Sequence, residues 1–264
     1  MKKVDYHLHS YFSADSQENP RTHILEALKY GLDEICFTEH RDFYFPDMAF
    51  DLDVPAYFQE LSALQAEFSG QIMVKIGLEI GLDLRFKQEI EDFVSNSAYD
   101  FVIGSVHEIN DIEVYDDTSY YTNKSKKQAH LEYLEAVLAC VQNFDCFNAL
   151  GHLDYVARYG PYADKFIQFD EFSELIHQIL QVLSDKNKAL EVNTRLFQYP
   201  ETQKFYQFLI ETYKNCGGKW ITLGTDSHLA KRDWISWTLA QNLIKSSGFT
   251  ELALFSKMQV ENIL

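Results

Sequence analysis

Positive charge, paired cysteines, long apolar runs and glycine-rich phosphate loops are scarce or missing in this chain, and each shortage excludes something. The 264 residues carry 23 lysines and arginines against 40 aspartates and glutamates, a formal net charge of −17. A surface that acidic repels phosphate backbones and anionic lipid, so no nucleic-acid or membrane partner is expected. A small anionic substrate is acceptable only if cations stand between it and the protein. The four cysteines, Cys36, Cys140, Cys146 and Cys216, form no C-x-x-C pair and are expected to be buried, reduced thiols of a cytoplasmic protein. No stretch approaches the about 18 consecutive apolar residues of a membrane span. The opening Met1-Lys2-Lys3-Val4-Asp5 leads into a strand pattern rather than into the apolar run of a signal peptide.

Apolar residues make up 46% of the chain and aromatics 15%, enough for a sizeable core. Short apolar runs alternate with longer amphipathic ones. The short runs, read as strands, are 4–10, 34–38, 72–78, 101–106, 147–151, 189–193 and 220–224. Helices are expected from Pro20 to about Tyr30, from Pro55, near 86–97, over 126–144, around 171–184, from Pro200 to Gly217 and over 234–245. Two long loops stand out, an aromatic one from Phe43 through Phe45 and Pro46 to Asp53, and a tyrosine-rich one from Asn110 to Asn123. Repeated strand-then-helix units imply a parallel sheet with right-handed crossovers. Seven of them with no linker predict an α/β fold, a distorted (β/α)7 TIM-like barrel forming a single domain over 1–264. An open doubly wound sheet is the competing architecture, but its first strand–helix turn would carry a glycine-rich phosphate loop.

The ends of those strands carry the chemistry. His7 and His9 alternate with Leu8 and so point the same way, as a two-toothed metal clamp. Of nine histidines, six fall at a strand's C-terminal end: His7, His9, His40, His107, His152 and His228. The other three, His23, His130 and His177, lie within helices and are assigned solvated or structural roles. Asp15, Glu79 and Asp226 join the same rim, where barrels build their sites. Any one of these nine is more readily a satisfied polar residue. Nine in one topological position are not explained that way. Imidazole and carboxylate without thiolate favour Zn²⁺, Fe²⁺ or Mn²⁺, and nine donors suit two or three ions sharing carboxylates, with Glu79 the expected bridge.

The motifs Asp5-Tyr6-His7-Leu8-His9-Ser10, Phe37-Thr38-Glu39-His40, Gly77-Leu78-Glu79, Gly104-Ser105-Val106-His107, Gly151-His152-Leu153-Asp154 and Gly224-Thr225-Asp226-Ser227-His228 resemble those of the polymerase and histidinol phosphatase (PHP) family. The resemblance runs from the first strand to the last. It implies a distorted seven-stranded barrel with a trinuclear metal site: His7, His9, Glu79 and Asp226 for one ion, Glu79, His107 and His152 for the second, Asp15, His40 and His228 for the third. Within the family, the segments 151–160 and 191–195 are similar to those of stand-alone histidinol-phosphate phosphatases.

Clustered metals answer both difficulties of a phosphate dianion. They make hydroxide available near neutral pH and neutralise the phosphoryl oxygens. The expected reaction is in-line attack by a metal-bridging hydroxide on a small phosphomonoester, L-histidinol phosphate being the substrate that the resemblance implies, in histidine biosynthesis. Arg158 and Arg195, beyond strands five and six, are expected to clamp the phosphate. Asp226, His228 or a bound water would protonate the leaving oxygen. For the cationic end of the substrate the rim offers Asp42, Phe43, Tyr44, Glu108, Asp154 and Tyr155. Three alternatives differ in what they require. A PHP phosphoesterase for another phosphomonoester, a nucleotide or an oligonucleotide end would keep the same ligands. An amidohydrolase-type barrel usually adds a bridging lysine, and no lysine sits at a predicted strand end. A non-catalytic metal-binding PHP domain would show gaps among the ligands, and there are none.

Overall fold

The structure is a computed structural model that describes residues 1–44, 50–115 and 119–261; Phe45 and Pro46 of the aromatic loop, and the middle of the tyrosine-rich segment, lie outside the described residues. Seven parallel strands form the central sheet: β1 (Val4–Asp5), β2 (Glu34–Phe37), β3 (Met73–Gly81), β4 (Phe101–Ser105), β5 (Ala149–Leu150), β6 (Ala189–Asn193) and β7 (Ile221–Gly224). They follow one another in chain order around the sheet. The last strand meets the first: the Tyr6 N–H donates to Leu223 O (2.9 Å), the Asp226 N–H to His7 O (2.7 Å) and the His9 N–H to Ser227 O (3.0 Å). The sheet is thus a nearly closed barrel, as the unit count predicts.

The helices are α1 (Pro20–Lys29), α2 (Val54–Glu67), α3 (Lys87–Ser95), α4 (Lys126–Asn143), α5 (Tyr155–Tyr159), α6 (Ser173–Asp185), α7 (Pro200–Asn215) and α8 (Trp234–Ser246). Their starts are written locally. Proline occupies the first turn of α1, α2 and α7, where its missing N–H costs nothing. Ser125 and Gln128 close a reciprocal capping box on α4. No helix among the described residues is long and apolar enough to cross a membrane.

Four features depart from expectation. Strand one is regular only over Val4–Asp5; beyond it the chain keeps single backbone bonds to the last strand and its exit and an isolated bridge from Leu8 to Ser227. The stretch after strand five, expected as a loop, contains α5. The tyrosine-rich segment begins as a hairpin, Glu108–Ile109 against Ile112–Glu113, turned by Asn110 and Asp111 at φ of 54° and 66°. Asn and Asp tolerate that left-handed region, so the turn needs no glycine. Finally, the tail folds into a hairpin, Phe255–Ser256 against Gln259–Val260, under the barrel end opposite the rim. There the Phe255 N–H donates to the Tyr6 hydroxyl (3.1 Å) and the Met258 N–H to Asp100 O (2.8 Å).

All four cysteines are free, with Cys36 and Cys140 buried but Cys146 and Cys216 partly exposed. His23 and His130 are buried, whereas His177 is exposed. Neither ring nitrogen of His130 has a hydrogen-bond partner among the described residues; its ring faces Tyr162 and Phe172. Burial, and then the nearby Lys126, lower its pKa to about 4. The unfolded chain protonates this residue near pH about 6.5 while the folded one keeps it neutral, so stability is lost as pH falls from about 6.5 to about 4. His130→Phe should flatten that loss. In urea titrations the wild type should lose about 2 kcal/mol more than the variant between pH 7 and pH 5, and parallel losses would contradict the assignment.

Candidate metal centre

Glu79 stands at the middle of the rim. It is fully buried in the last turns of β3, and the two-residue strand His40–Arg41 pairs alongside it, with His40 opposite Glu79. Its two oxygens divide the surrounding imidazoles. His7 Nε2, His40 Nδ1 and His9 Nε2 lie 3.0, 3.1 and 3.3 Å from Oε2. His152 Nε2 and His107 Nε2 lie 2.8 and 3.3 Å from Oε1, which also accepts the Ser105 hydroxyl at 2.6 Å. Asp226 Oδ1 is 3.5 Å from His9 Nε2 and 3.8 Å from both His7 Nε2 and His228 Nδ1. Asp15 closes the outer edge, 2.9 Å from His228 Nε2 and 3.6 Å from His40 Nε2. All nine candidate donors of the sequence therefore meet in one place.

Within the cluster, three-residue sets have their donor atoms within 4.8 Å of one another: His7, His9 and Glu79; Glu79, His107 and His152; His9, His40 and His228; His7, His152 and Asp226; and His40, Asp42 and His107. The third set brings His9 to His40 and His228, with its ring stacked on both at 4.2 and 4.3 Å between centroids. Asp15 stands outside that set, beside His228 and His40.

A layer of acceptors orients the rings. His7 Nδ1 is 2.6 Å from Glu191, and His107 Nδ1 is 3.0 Å from Asp42. Ionised carboxylates only accept, so those nitrogens carry protons and leave Nε2 for the centre. His9 Nδ1 lies 3.2 Å from the Ser13 hydroxyl, which donates to Glu39 (2.6 Å), and His228 Nδ1 is 3.1 Å from the Asp226 carbonyl oxygen. The Asp226 backbone is left-handed, φ 54°; its carboxylate lies in the cluster while its N–H donates to His7 O.

The electrostatics are those of an arrangement built around cations. Burial works to raise Glu79 and Asp226, yet His7, His40 and His107 hold Glu79, and Arg158 and His7 hold Asp226, well below the ordinary carboxylate range. Burial works to lower His107, yet Asp42 and Glu79 push it up to about 10. Burial drives His9 well down, with His40 and His228 adding to it. The test of whether metal ions fit lies in the unsatisfied atoms. Among the described residues, buried His9 Nε2 and His40 Nδ1 have no hydrogen-bond partner, and His107 Nε2 faces His152 Nε2 at 3.4 Å. Each such orphan costs about 1–3 kcal/mol, and a divalent cation among the rings would satisfy all of them. The donor set, imidazole and carboxylate without sulfur, suits several ions of the Zn, Fe or Mn kind.

Arg158 and Arg195 meet at Asp226. Arg158, buried in α5, donates through Nη1 to Asp226 Oδ2, and its Nε and Nη2 have no hydrogen-bond partner among the described residues. Arg195 Nη1 donates to the Asp226 carbonyl oxygen (2.8 Å) and lies 3.1 Å from His228 Nδ1. A cavity of about 190 Å³ opens onto the same cluster, lined by Asp15, His40, Asp42, Tyr44, Phe50, His107, Glu113, Tyr115 and Tyr155.

Of the rim residues expected near the substrate, Asp42, Tyr44 and Tyr155 line this cavity and three do not. Phe43 stacks on Phe86 and meets Phe93 edge to face, with Arg41 over its ring. Glu108 is held by Arg85, and Asp154 accepts the Tyr206 hydroxyl (2.9 Å). Sequence reasoning missed Glu113, Tyr115, Glu191 and Asn193. The last two had a signal: polar residues two apart inside an apolar strand, with the spacing of His7 and His9.

Residues 5–195 match the family model of the PHP domain. A histidinol-phosphatase of Lactococcus lactis is 60% identical over 261 residues, covering 99% of this chain and 97% of the relative. A probable histidinol-phosphatase of Clostridium acetobutylicum is 32% identical over 227 residues, covering 85% and 86%. The crystal structure of the Lactococcus lactis histidinol phosphate phosphatase, complexed with zinc, L-histidinol and phosphate, superposes with a TM-score of 0.97 over 99% of both chains. A Listeria monocytogenes structure at 19% identity, TM-score 0.70, covering 86% of this chain and 96% of its own, shares the fold. From its donor-lined barrel rim to its match over residues 5–195, the chain belongs to the PHP family.

Proposed function

We propose that this chain hydrolyses L-histidinol phosphate to L-histidinol and phosphate, as a metal-dependent phosphomonoesterase of histidine biosynthesis. One observation carries the reading: the metal donors are bordered both by the guanidinium groups of Arg158 and Arg195, which meet at Asp226, and by a cavity lined with Asp42, Glu113 and tyrosines. A substrate that joins a phosphate to an ammonium and an imidazole would use both. The relative solved with zinc, L-histidinol and phosphate supports it, at 60% identity over nearly the whole chain.

His7, His9, Glu79 and Asp226 would hold one ion, Glu79, His107 and His152 the second, and Asp15, His40 and His228 the third, with His9 beside the last set. Bound metals supply hydroxide near neutral pH and neutralise phosphoryl oxygens. The protein's own part is positional. Arg158 Nε and Nη2 and the Arg195 guanidinium hold the phosphoryl oxygens. Arg158 also keeps Asp226 ionised. Asp226, held ionised, has no proton to give, so His228 or a bound water would protonate the leaving oxygen. Asp42 and Glu113 accept from the cationic end, and Tyr44, Tyr115 and Tyr155 offer their faces to it. We read 1–264 as one domain, acting in the reducing cytoplasm on a small molecule, its −17 charge set against nucleic acid and anionic membranes.

Phosphate release from histidinol phosphate, generic phosphomonoesters, nucleotides and short oligonucleotides, assayed in parallel, should give histidinol phosphate the highest kcat/KM. Equal values would remove the substrate assignment and leave the phosphoesterase. Arg195→Ala and Arg158→Lys should each lower kcat/KM at least about tenfold, about 1.4 kcal/mol, with bound metal retained; unchanged kinetics in both would return the arginines to structural roles. Because Glu79 touches five imidazoles and His40 sits at the edge, His40→Ala should keep more metal by elemental analysis than Glu79→Ala. The reverse order would mean a different division of the ligands.

A further inference from the structure

Glu191 is buried in β6 and touches neither the arginines nor the acidic cavity. Its Oε1 lies 2.6 Å from His7 Nδ1. Its Oε2 accepts the His152 backbone N–H at 2.7 Å and Asn193 Nδ2 at 3.3 Å. The same two histidines meet Glu79 from their other sides, His7 Nε2 at Oε2 and His152 Nε2 at Oε1. His7 and His152 are thus each held between two carboxylates, one oxygen of each carboxylate to each residue. The approach depends on position 224. A Cβ on Gly224 would lie 2.3 Å from His7 Cβ and 2.6 Å from Glu191 Oε1, so β7 passes behind this pair only because it has no side chain there.

From this juxtaposition we infer that Glu191 is a positioning residue that couples the His7 and His152 parts of the metal centre and sets their hold on metal. The inference rests on the reading of His7, Glu79 and His152 as metal donors. Three consequences follow from the contacts. An ionised acceptor on Nδ1 fixes the His7 tautomer with the Nε2 lone pair toward the centre. It also makes that nitrogen a stronger donor than a neutral amide partner would. The bond to the His152 N–H fixes the backbone from which the second ring reaches Glu79. His9, His40 and His228 have no contact with Glu191; their orientation comes from Ser13, Glu39 and the Asp226 carbonyl.

The test uses zinc-loaded wild type, Glu191→Gln and Glu191→Asp, dialysed against graded chelator. Zinc per chain is counted at each step, and thermal unfolding is measured after complete stripping. Glu191→Gln should release zinc at a chelator concentration at least about tenfold lower than the wild type, the usual scale for losing a partner of a metal-bound histidine. It should do so for only part of its zinc, the fraction held by Asp15, His40 and His228 leaving at the wild-type concentration. Glu191→Asp, with the charge but a shorter reach, should fall between. The stripped proteins should unfold alike. Wild-type retention in Glu191→Gln, or uniform loss of all zinc together with a lowered unfolding temperature of the stripped protein, would overturn the inference. Should Glu191→Gln not fold, wild-type retention in Glu191→Asp overturns it alone. A wild type that holds fewer than two ions removes the multinuclear reading itself, and the inference with it.

Discussion

A buried carboxylate ringed by imidazoles is the constraint on which this structure depends. Glu79 is inaccessible to solvent, and a lone ionised carboxylate so placed would cost several kcal/mol. Five histidines from four separate stretches of chain answer that cost, and each must arrive at the right height on the rim. β3 is nine residues long, the longest strand of the barrel, and carries Glu79 up to that level. The short His40–Arg41 strand runs beside it. Gly151 lets β5 pass close to β4: a Cβ there would come 2.2 Å from the Ser105 hydroxyl, the group that donates to Glu79. Barrel closure at β1 and β7 does the rest, since the bonds that join those strands also set His7, His9 and Asp226.

Two kinds of group border the metal donors. Arg158 and Arg195 converge on Asp226, and Arg158 Nε and Nη2 have no hydrogen-bond partner among the described residues. Asp42, Glu113 and the tyrosines line the adjoining cavity. A chain of net charge −17 would repel a phosphate dianion over most of its surface. Attraction is confined to the rim, where cations can be held, while the acidic surface favours the substrate's ammonium and imidazole end. The overall charge and the local one thus act on opposite ends of one small molecule.

Much of this was legible in the sequence, for a physical reason. A parallel barrel puts the C-terminal end of every strand on one rim, so His7, His40, Glu79, His107, His152 and Asp226 could be brought together by topology without knowing a distance. The residues that orient them were not legible in the same way. Glu191 lies 184 positions from His7 and Asp42 lies 65 from His107; their partners are fixed by packing across the barrel. On the rim loops, Phe43, Glu108 and Asp154 were the right residue types at the right ends of strands, but Phe86, Arg85 and Tyr206 turned each away from the cavity. His130 shows the same limit inside a helix: its place in the sequence left solvated and structural roles both open, and the packing of α4 buried it.

Anomalous diffraction at the zinc edge from crystals of the zinc-loaded protein tests the central claim most directly. The account predicts two or three anomalous peaks within the cluster, at least two of them in contact with Glu79. A single peak, or peaks that leave Glu79 uncoordinated, would contradict it.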